Sequence, residues 1–141
     1  MQTQTNWLVF REGKHPFAPL AKKGFGHVSI LMKDEFNWLQ LDSLADSLCW
    51  KILPYSAKED VPRKYRKAGR EVLKVETISK VNKNYDRFGI IGIGFICVRI
   101  AKYVCGIRLR CVTPFGLYKR LVKMARTQKY SHDVTSVQIM T

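Results

Sequence analysis

Acidic residues are scarce in this sequence. Its 11 Asp and Glu stand against 25 Lys and Arg, which gives a formal net charge of +14. A field of that size favours polyanionic neighbours, namely nucleic acid, an anionic membrane or an acidic protein surface. The same charge is equally compatible with a protein that merely stays soluble by self-repulsion. The charge alone therefore leaves an anionic partner and simple solubility as equal alternatives.

Long apolar runs are also missing. The longest covers residues 88–100, and it is interrupted by Gly89, Gly92 and Gly94 and contains Arg99. A helix that spans a bilayer needs about 20 apolar residues, so the sequence predicts no transmembrane segment. The first six residues lack the basic start and apolar stretch of a secretion signal.

The sequence has little that would bind a metal. Its four cysteines, at positions 49, 97, 105 and 111, form no CxxC pair, and its three histidines are scattered. This spacing does not match a zinc site, and we expect no cofactor. Free thiols in a reducing compartment are a simpler interpretation than a disulfide framework, which is denser in small secreted proteins.

The length of 141 residues and the hydrophobic fraction of 46% suit one domain with a real core. β-rich, alternating segments predict strands at residues 7–11, 27–32, 38–44, 48–53 and 71–81. The second and third of these are joined by a short polar link and predict a hairpin. Pro54 is expected to end the fourth strand.

The last third of the chain is typical of helices. The pattern at residues 97–105 predicts a helix that ends at Gly106, and Thr113-Pro114 is a strong start for another. The fold class predicted is therefore α+β, an antiparallel sheet with the cysteine helix packed on it. We expect a single domain over residues 1–126 and a loosely held polar tail over 127–141.

Two basic clusters support a nucleic-acid-binding hypothesis. One comprises Arg63, Lys64, Arg66 and Lys67, and the other lies on the second helix and comprises Lys119, Arg120 and Lys123. Tyr65 lies within the first cluster and could stack on a base. However, the sequence has no helix-turn-helix, zinc-finger or RNA-recognition signature, and basic runs are more often solvated faces.

Cys97 and His27 are the residues that suggest catalysis. A thiol hydrolase needs a thiolate, a base beside it and a polar group that orients the base. Cys97 begins a predicted helix, whose N-terminus favours negative charge, and His27 opens a predicted strand after the permissive segment Gly24-Phe25-Gly26. The next strand offers Gln40 and Asp42 on one face, and either could orient an imidazole. Taken singly, a cysteine in such an apolar run is more often a small buried hydrophobe than a nucleophile.

These residues also carry a family resemblance. Gly26-His27-Val28-Ser29-Ile30, followed by a Trp-rich strand, resembles the histidine hairpin of circularly permuted NlpC-type, papain-like thiol hydrolases, which include lecithin retinol acyltransferase-like and YiiX-type proteins. The later half resembles small permuted members from phages and bacteria, in which the histidine hairpin likewise precedes the cysteine helix. The matching positions there are Cys97-Val98, Lys102, Gly106-Ile107, Thr113-Pro114 and Leu117-Tyr118.

The resemblance implies a permuted papain-like fold with Cys97 as nucleophile and His27 as base. Asp42 is the first choice for the third residue and Gln40 the second. It further implies a cysteine-dependent hydrolase or acyltransferase, peptidase- or amidase-like, acting on a peptide or acyl substrate. Ile96 departs from the small or polar residue common before the cysteine, which puts the oxyanion site in question.

Two other functions remain as alternatives. One is a catalytically inactive structural component of a phage particle that contacts other phage structural proteins. The other is a basic nucleic-acid-binding protein. Without an evident secretion signal, a cytoplasmic or virion-associated location is expected.

Overall fold

In the computed structural model, residues 2–13, 22–43, 47–79, 96–130 and 133–141 are described. They form six strands and three helices. In chain order these are β1 (Gln2–Arg11), β2 (His27–Lys33), β3 (Asn37–Ser43), β4 (Leu48–Ser56), α1 (Val61–Lys67), β5 (Glu71–Ser79), α2 (Ile96–Cys105), α3 (Pro114–Thr127) and β6 (Val134–Ile139).

All six strands belong to one sheet, in the order β4-β3-β2-β1-β5-β6, and every neighbouring pair is antiparallel. The first four strands follow one another across the sheet, and β5 then pairs with the other side of β1. The structure therefore confirms the predicted α+β class, the antiparallel sheet and the hairpin of β2 and β3.

The larger core lies on the sheet face that α2 and α3 cover. Helix α2 packs mainly against β2, and α3 packs mainly against β6. Leu8, Ile30, Val98, Leu117 and Leu121 are fully or almost fully buried there. Helix α3 begins as predicted, because the Thr113 side chain accepts a hydrogen bond of 3.0 Å from the Gly116 N–H and Pro114 occupies the first turn.

A smaller core lies on the opposite face, beneath α1. It contains Val9, Leu31, Trp38, Val61 and Val72. The polarity of residues 55–70 hides this helix in the sequence. Capping residues stabilise the helix at both ends. Asp60 accepts a hydrogen bond of 3.1 Å from the Arg63 N–H at the start of α1, and Gly69 follows its end with a φ of +83°.

The predicted loosely held tail is wrong for residues 134–139. This segment is β6, which pairs with β5 along its length. Val134 and Val137 are both buried in the larger core although they lie three residues apart, because a register shift opposite Glu76 and Thr77 interrupts the regular alternation of the strand.

The predicted end of the fourth strand at Pro54 is also wrong. Strand β4 continues through Pro54 to Ser56. Proline lacks the N–H that a central strand would need, but an outer strand tolerates it. Among the described residues, no helix is long or apolar enough to cross a bilayer.

Candidate active site

Polar side chains of the neighbouring strands β1, β2 and β3 cluster towards one end of the sheet. Arg11, the last residue of β1, pairs with His27, the first residue of β2. The hairpin register aligns Leu31 with Gln40, which puts Asp42 level with Ser29. Strand alternation therefore points the side chains of these polar residues to one face of the sheet, as predicted for His27, Gln40 and Asp42.

Asp42 lies at the centre of this cluster. Its Oδ1 is 3.0 Å from Nε2 of His27, and it also accepts a hydrogen bond from the Ser29 hydroxyl. Nη2 of Arg11 lies 3.5 Å from the same oxygen. The His27 and Asp42 side chains are 14% and 18% exposed, so this contact is largely shielded from water.

Gln40 contacts the carboxylate and not the imidazole. Its Nε2 donates to Oδ2 of Asp42 at 2.6 Å, and its Oε1 accepts a hydrogen bond of 2.8 Å from the Tyr65 hydroxyl. The two alternatives for an orienting residue therefore occupy different places. Asp42 touches the His27 ring, and Gln40 holds Asp42.

Cys97 lies in the first turn of α2, near enough to His27 to raise the pKa of its imidazole. Since Nε2 of His27 faces Asp42, Nδ1 is the ring nitrogen left for the sulfur. Cys97 is 6% exposed and borders the larger core. The first four N–H groups of a helix have no partner within it, so any acceptor of the Cys97 N–H lies outside α2.

The electrostatics of the cluster favour a charged imidazole. Burial alone would lower the pKa of His27, but the hydrogen bond to Asp42 and the contact with Cys97 raise it to about 9. Burial would raise the pKa of Asp42, but its hydrogen bonds to His27, Ser29 and Gln40 and the charge of Arg11 hold it well below its usual range. At neutral pH the pair is therefore an imidazolium and a carboxylate.

Two glycines bring the chain together just before His27. A Cβ on Gly13 would lie 2.6 Å from the carbonyl oxygen of Gly26, and a Cβ on Gly26 would collide with the backbone nitrogen of Gly13. Gly24 has a φ of +84°, which suits glycine. The permissive role predicted for this segment thus has a steric basis. Gly89, Gly92 and Gly94, which interrupt the longest apolar run, lie outside the described residues.

Sequence reasoning assigned no role in this site to Arg11, Ser29 or Tyr65. Ser29 carried a usable signal, since it shares the face of His27 two residues further along the strand. Arg11 and Tyr65 carried none, because their positions depend on the pairing of β1 with β2 and on the docking of α1.

The basic clusters are partly engaged by the protein itself. Lys64 pairs with Glu59 at 3.2 Å, and Arg66 pairs with Glu71 at 3.0 Å. Lys119 lies over the Phe115 ring at 5.2 Å. The remaining residues of the two clusters are exposed, namely Arg63, Lys67, Arg120 and Lys123.

Tyr65 does not extend from its cluster as a free stacking ring. Its hydroxyl is bonded to Gln40, and its ring packs against the smaller core with Arg70 5.2 Å from the ring centre. The stacking role expected from the sequence therefore conflicts with its position. In the described part of the chain, no three His, Cys, Asp or Glu side chains come together as metal ligands would.

Comparison of the chain with protein-family models, curated proteins and solved structures gives no match. Functional conclusions therefore rest on the residues of the site.

Proposed function

We propose that this chain is a cysteine-dependent hydrolase or acyltransferase of the peptidase or amidase type. Cys97 is the nucleophile, His27 is the base, and Asp42 orients the base. The observation that carries the proposal is the 3.0 Å contact between Nε2 of His27 and Oδ1 of Asp42, on a ring whose pKa the neighbouring Cys97 also raises. A nucleophile, a base and a group that orients the base are the arrangement by which thiol acyl transfer is recognised.

The reaction follows from these positions. The sulfur of the Cys97 thiolate attacks the carbonyl carbon of an amide or ester. The tetrahedral intermediate collapses to a thioester as His27 gives its proton to the leaving nitrogen or oxygen. His27 then takes a proton from water or another acceptor, which attacks the thioester and releases Cys97.

Two further groups support this chemistry. Asp42 bonds Nε2 of His27 and so directs Nδ1 to the sulfur, which fixes the orientation of the imidazole. The N–H of Cys97, at the start of α2, is suited to hold the oxyanion of the intermediate. That donor belongs to the main chain, so it does not depend on the side chain of Ile96.

The proposed fold is a permuted papain-like domain. In its support, the strand that carries His27 precedes the helix that carries Cys97, and that helix packs against the same strand. This is the order of the permuted thiol hydrolases that the sequence resembles.

The proposal is tested by the reactivity of the thiols. Treatment of the native protein with a small alkylating reagent, followed by peptide mass spectrometry, should label Cys97 faster than the fully buried Cys105. His27→Ala should slow the labelling of Cys97 by at least about tenfold. Cys111→Ser is the matched control and should leave the rate at Cys97 unchanged.

A second candidate is a catalytically inactive structural component, for example of a phage particle, that keeps this fold. The 6% exposure of Cys97 favours it, because a buried thiol is often only a small hydrophobe. Such a component would present its exposed cations, Arg63, Lys67, Arg120 and Lys123, to acidic partners or nucleic acid. A Cys97 that is as inert as Cys105 in the native protein would favour this candidate over the enzyme.

A further inference from the structure

The outer strand β4 carries an exposed apolar stripe. Leu48, Trp50 and Ile52 alternate along the strand, so they share one face, and they are 56%, 57% and 68% exposed. In the sheet formed by the described residues, β4 pairs with β3 on one side and lies at the edge on the other. An exposed, apolar edge strand can pair through its backbone with a strand of another chain.

The stripe lies on the side of the sheet that α2 covers, yet its three side chains remain more than half exposed. Trp50 pairs with Leu41, which is buried in the larger core. Charged residues usually protect such an edge from association. Strand β4 has one charged residue, Lys51, and alternation turns it to the opposite face from the stripe.

We propose that β4 pairs with β4 of a second copy of this chain and forms a two-fold symmetric dimer. The occupant of this edge must supply an unpaired strand and an uncharged apolar stripe, and β4 itself supplies both. Acidic partners or nucleic acid are drawn instead to the cationic surfaces, since the stripe carries no charge. A two-fold antiparallel pair uses the same residues from both copies, so one sequence is enough.

The shared face of the stripe determines the register. Two antiparallel copies keep both stripes on the same side only when even-numbered residues face even-numbered residues. Centring the pair on Trp50 places the two Trp50 side chains together and Leu48 opposite Ile52 of the other copy. Lys51 then faces Cys49, so the two lysines are not directly opposed.

The dimer depends on concentration and salt. A single strand edge is small beside the roughly 800 Å² per partner of a standard interface, so association is reversible. Each copy carries a charge of +14, and this repulsion opposes the pairing. Added salt screens the repulsion and therefore strengthens the dimer, whereas it weakens a complex held by charge attraction.

The mass of the purified protein tests the proposal. Sedimentation equilibrium over a concentration series, at low and moderate salt, should show a twofold rise in mass that salt enhances. Trp50→Lys should remain a monomer throughout, and its exposed position leaves the fold intact. Val112→Lys is the matched control, because Val112 is similarly exposed at 56% but lies outside β4, and it should dimerise normally. A parent protein that stays monomeric, or a Trp50→Lys variant that still dimerises, would overturn the proposal.

A crosslink tests the register separately. In Lys51→Cys, the introduced thiol faces native Cys49 of the other copy, so mild oxidation should yield a covalent dimer. The double variant Cys49→Ser/Lys51→Cys should lose most of this crosslink. Equal crosslinking in both variants would contradict the register centred on Trp50.

Discussion

Nε2 of His27 lies 3.0 Å from Oδ1 of Asp42, and that single oxygen also accepts the Ser29 hydroxyl. Asp42 therefore connects the imidazole to the rest of the cluster. The other carboxylate oxygen is held by Gln40, so Asp42 has little freedom to turn away from the ring.

Replacing Asp42 by Asn should lower the pKa of His27 from its value of about 9, because the charged acceptor that stabilises the imidazolium is lost. NMR titration of the His27 ring, assigned with His27→Gln, measures this shift. Activity on any acyl substrate should fall by about 10²–10⁴-fold, and its alkaline limit should move to lower pH. Gln40→Ala is the control for nearby disruption, and its His27 should keep most of the raised pKa. An unshifted His27 in Asp42→Asn would remove Asp42 from this role.

Stability should also depend on pH through this pair. The folded pKa of His27 is raised, so its contribution is full below its ordinary value of 6.5 and is lost as pH rises through about 9. The folded pKa of Asp42 is lowered, so its contribution is present above its ordinary value of 3.8 and is lost as pH falls. Urea unfolding at a series of pH values should therefore show the greatest contribution between about pH 4 and 6.5.

His27→Gln separates this effect from other titrating groups. The variant should lose part of the decline in unfolding free energy between pH 6.5 and 9, because it lacks the imidazole that titrates there. The same alkaline decline in parent and variant would assign the effect to other residues.

The hydroxyl of Tyr65 positions Gln40, which in turn holds Asp42. Tyr65→Phe removes the hydrogen bond of 2.8 Å and should cost about 1 kcal/mol of unfolding free energy. Activity should fall several-fold with little change in its alkaline limit, because Asp42 still contacts His27. Tyr55→Phe is the control, since Tyr55 packs against the same core but lies outside this chain of bonds. A loss of stability without any loss of activity would make Tyr65 purely structural.

The docking of β6 can be tested with two neighbouring residues. Val137 is buried and Gln138 is exposed on the same strand. Val137→Asp places an unpaired charge in the core and should lower the unfolding free energy by about 3 kcal/mol or more. Gln138→Asp should change it by less than about 0.5 kcal/mol. Denaturant unfolding measures both values, and equal values would indicate that this segment is not docked.

The elements that the sequence predicts well are those with a strong local signal. The alternation in β2 and β3 and the Thr113-Pro114 start of α3 need no distant residue to be recognised. Helix α1 was missed because its polarity outweighs its cap, and β6 was missed because its two buried valines acquire meaning only beside β5.

The sequence likewise predicts one part of the candidate site and leaves another part undetermined. Period-two alternation is enough to place His27, Gln40 and Asp42 on one face. It cannot decide which of Gln40 and Asp42 touches the imidazole, because that depends on the register and the side-chain rotamers. The contribution of Arg11 depends on β1 lying beside β2, which no local pattern reports.

The tight crossing of Gly13 and Gly26 has a consequence for inherited variation. Neither residue has a side chain that could bind a substrate or transfer a proton, yet a single added methyl at either position would force the two backbones apart. His27 directly follows Gly26 in the chain, so separating the two backbones would displace the imidazole. Lineages that carry even alanine there would therefore retain every reactive group and still have it misaligned.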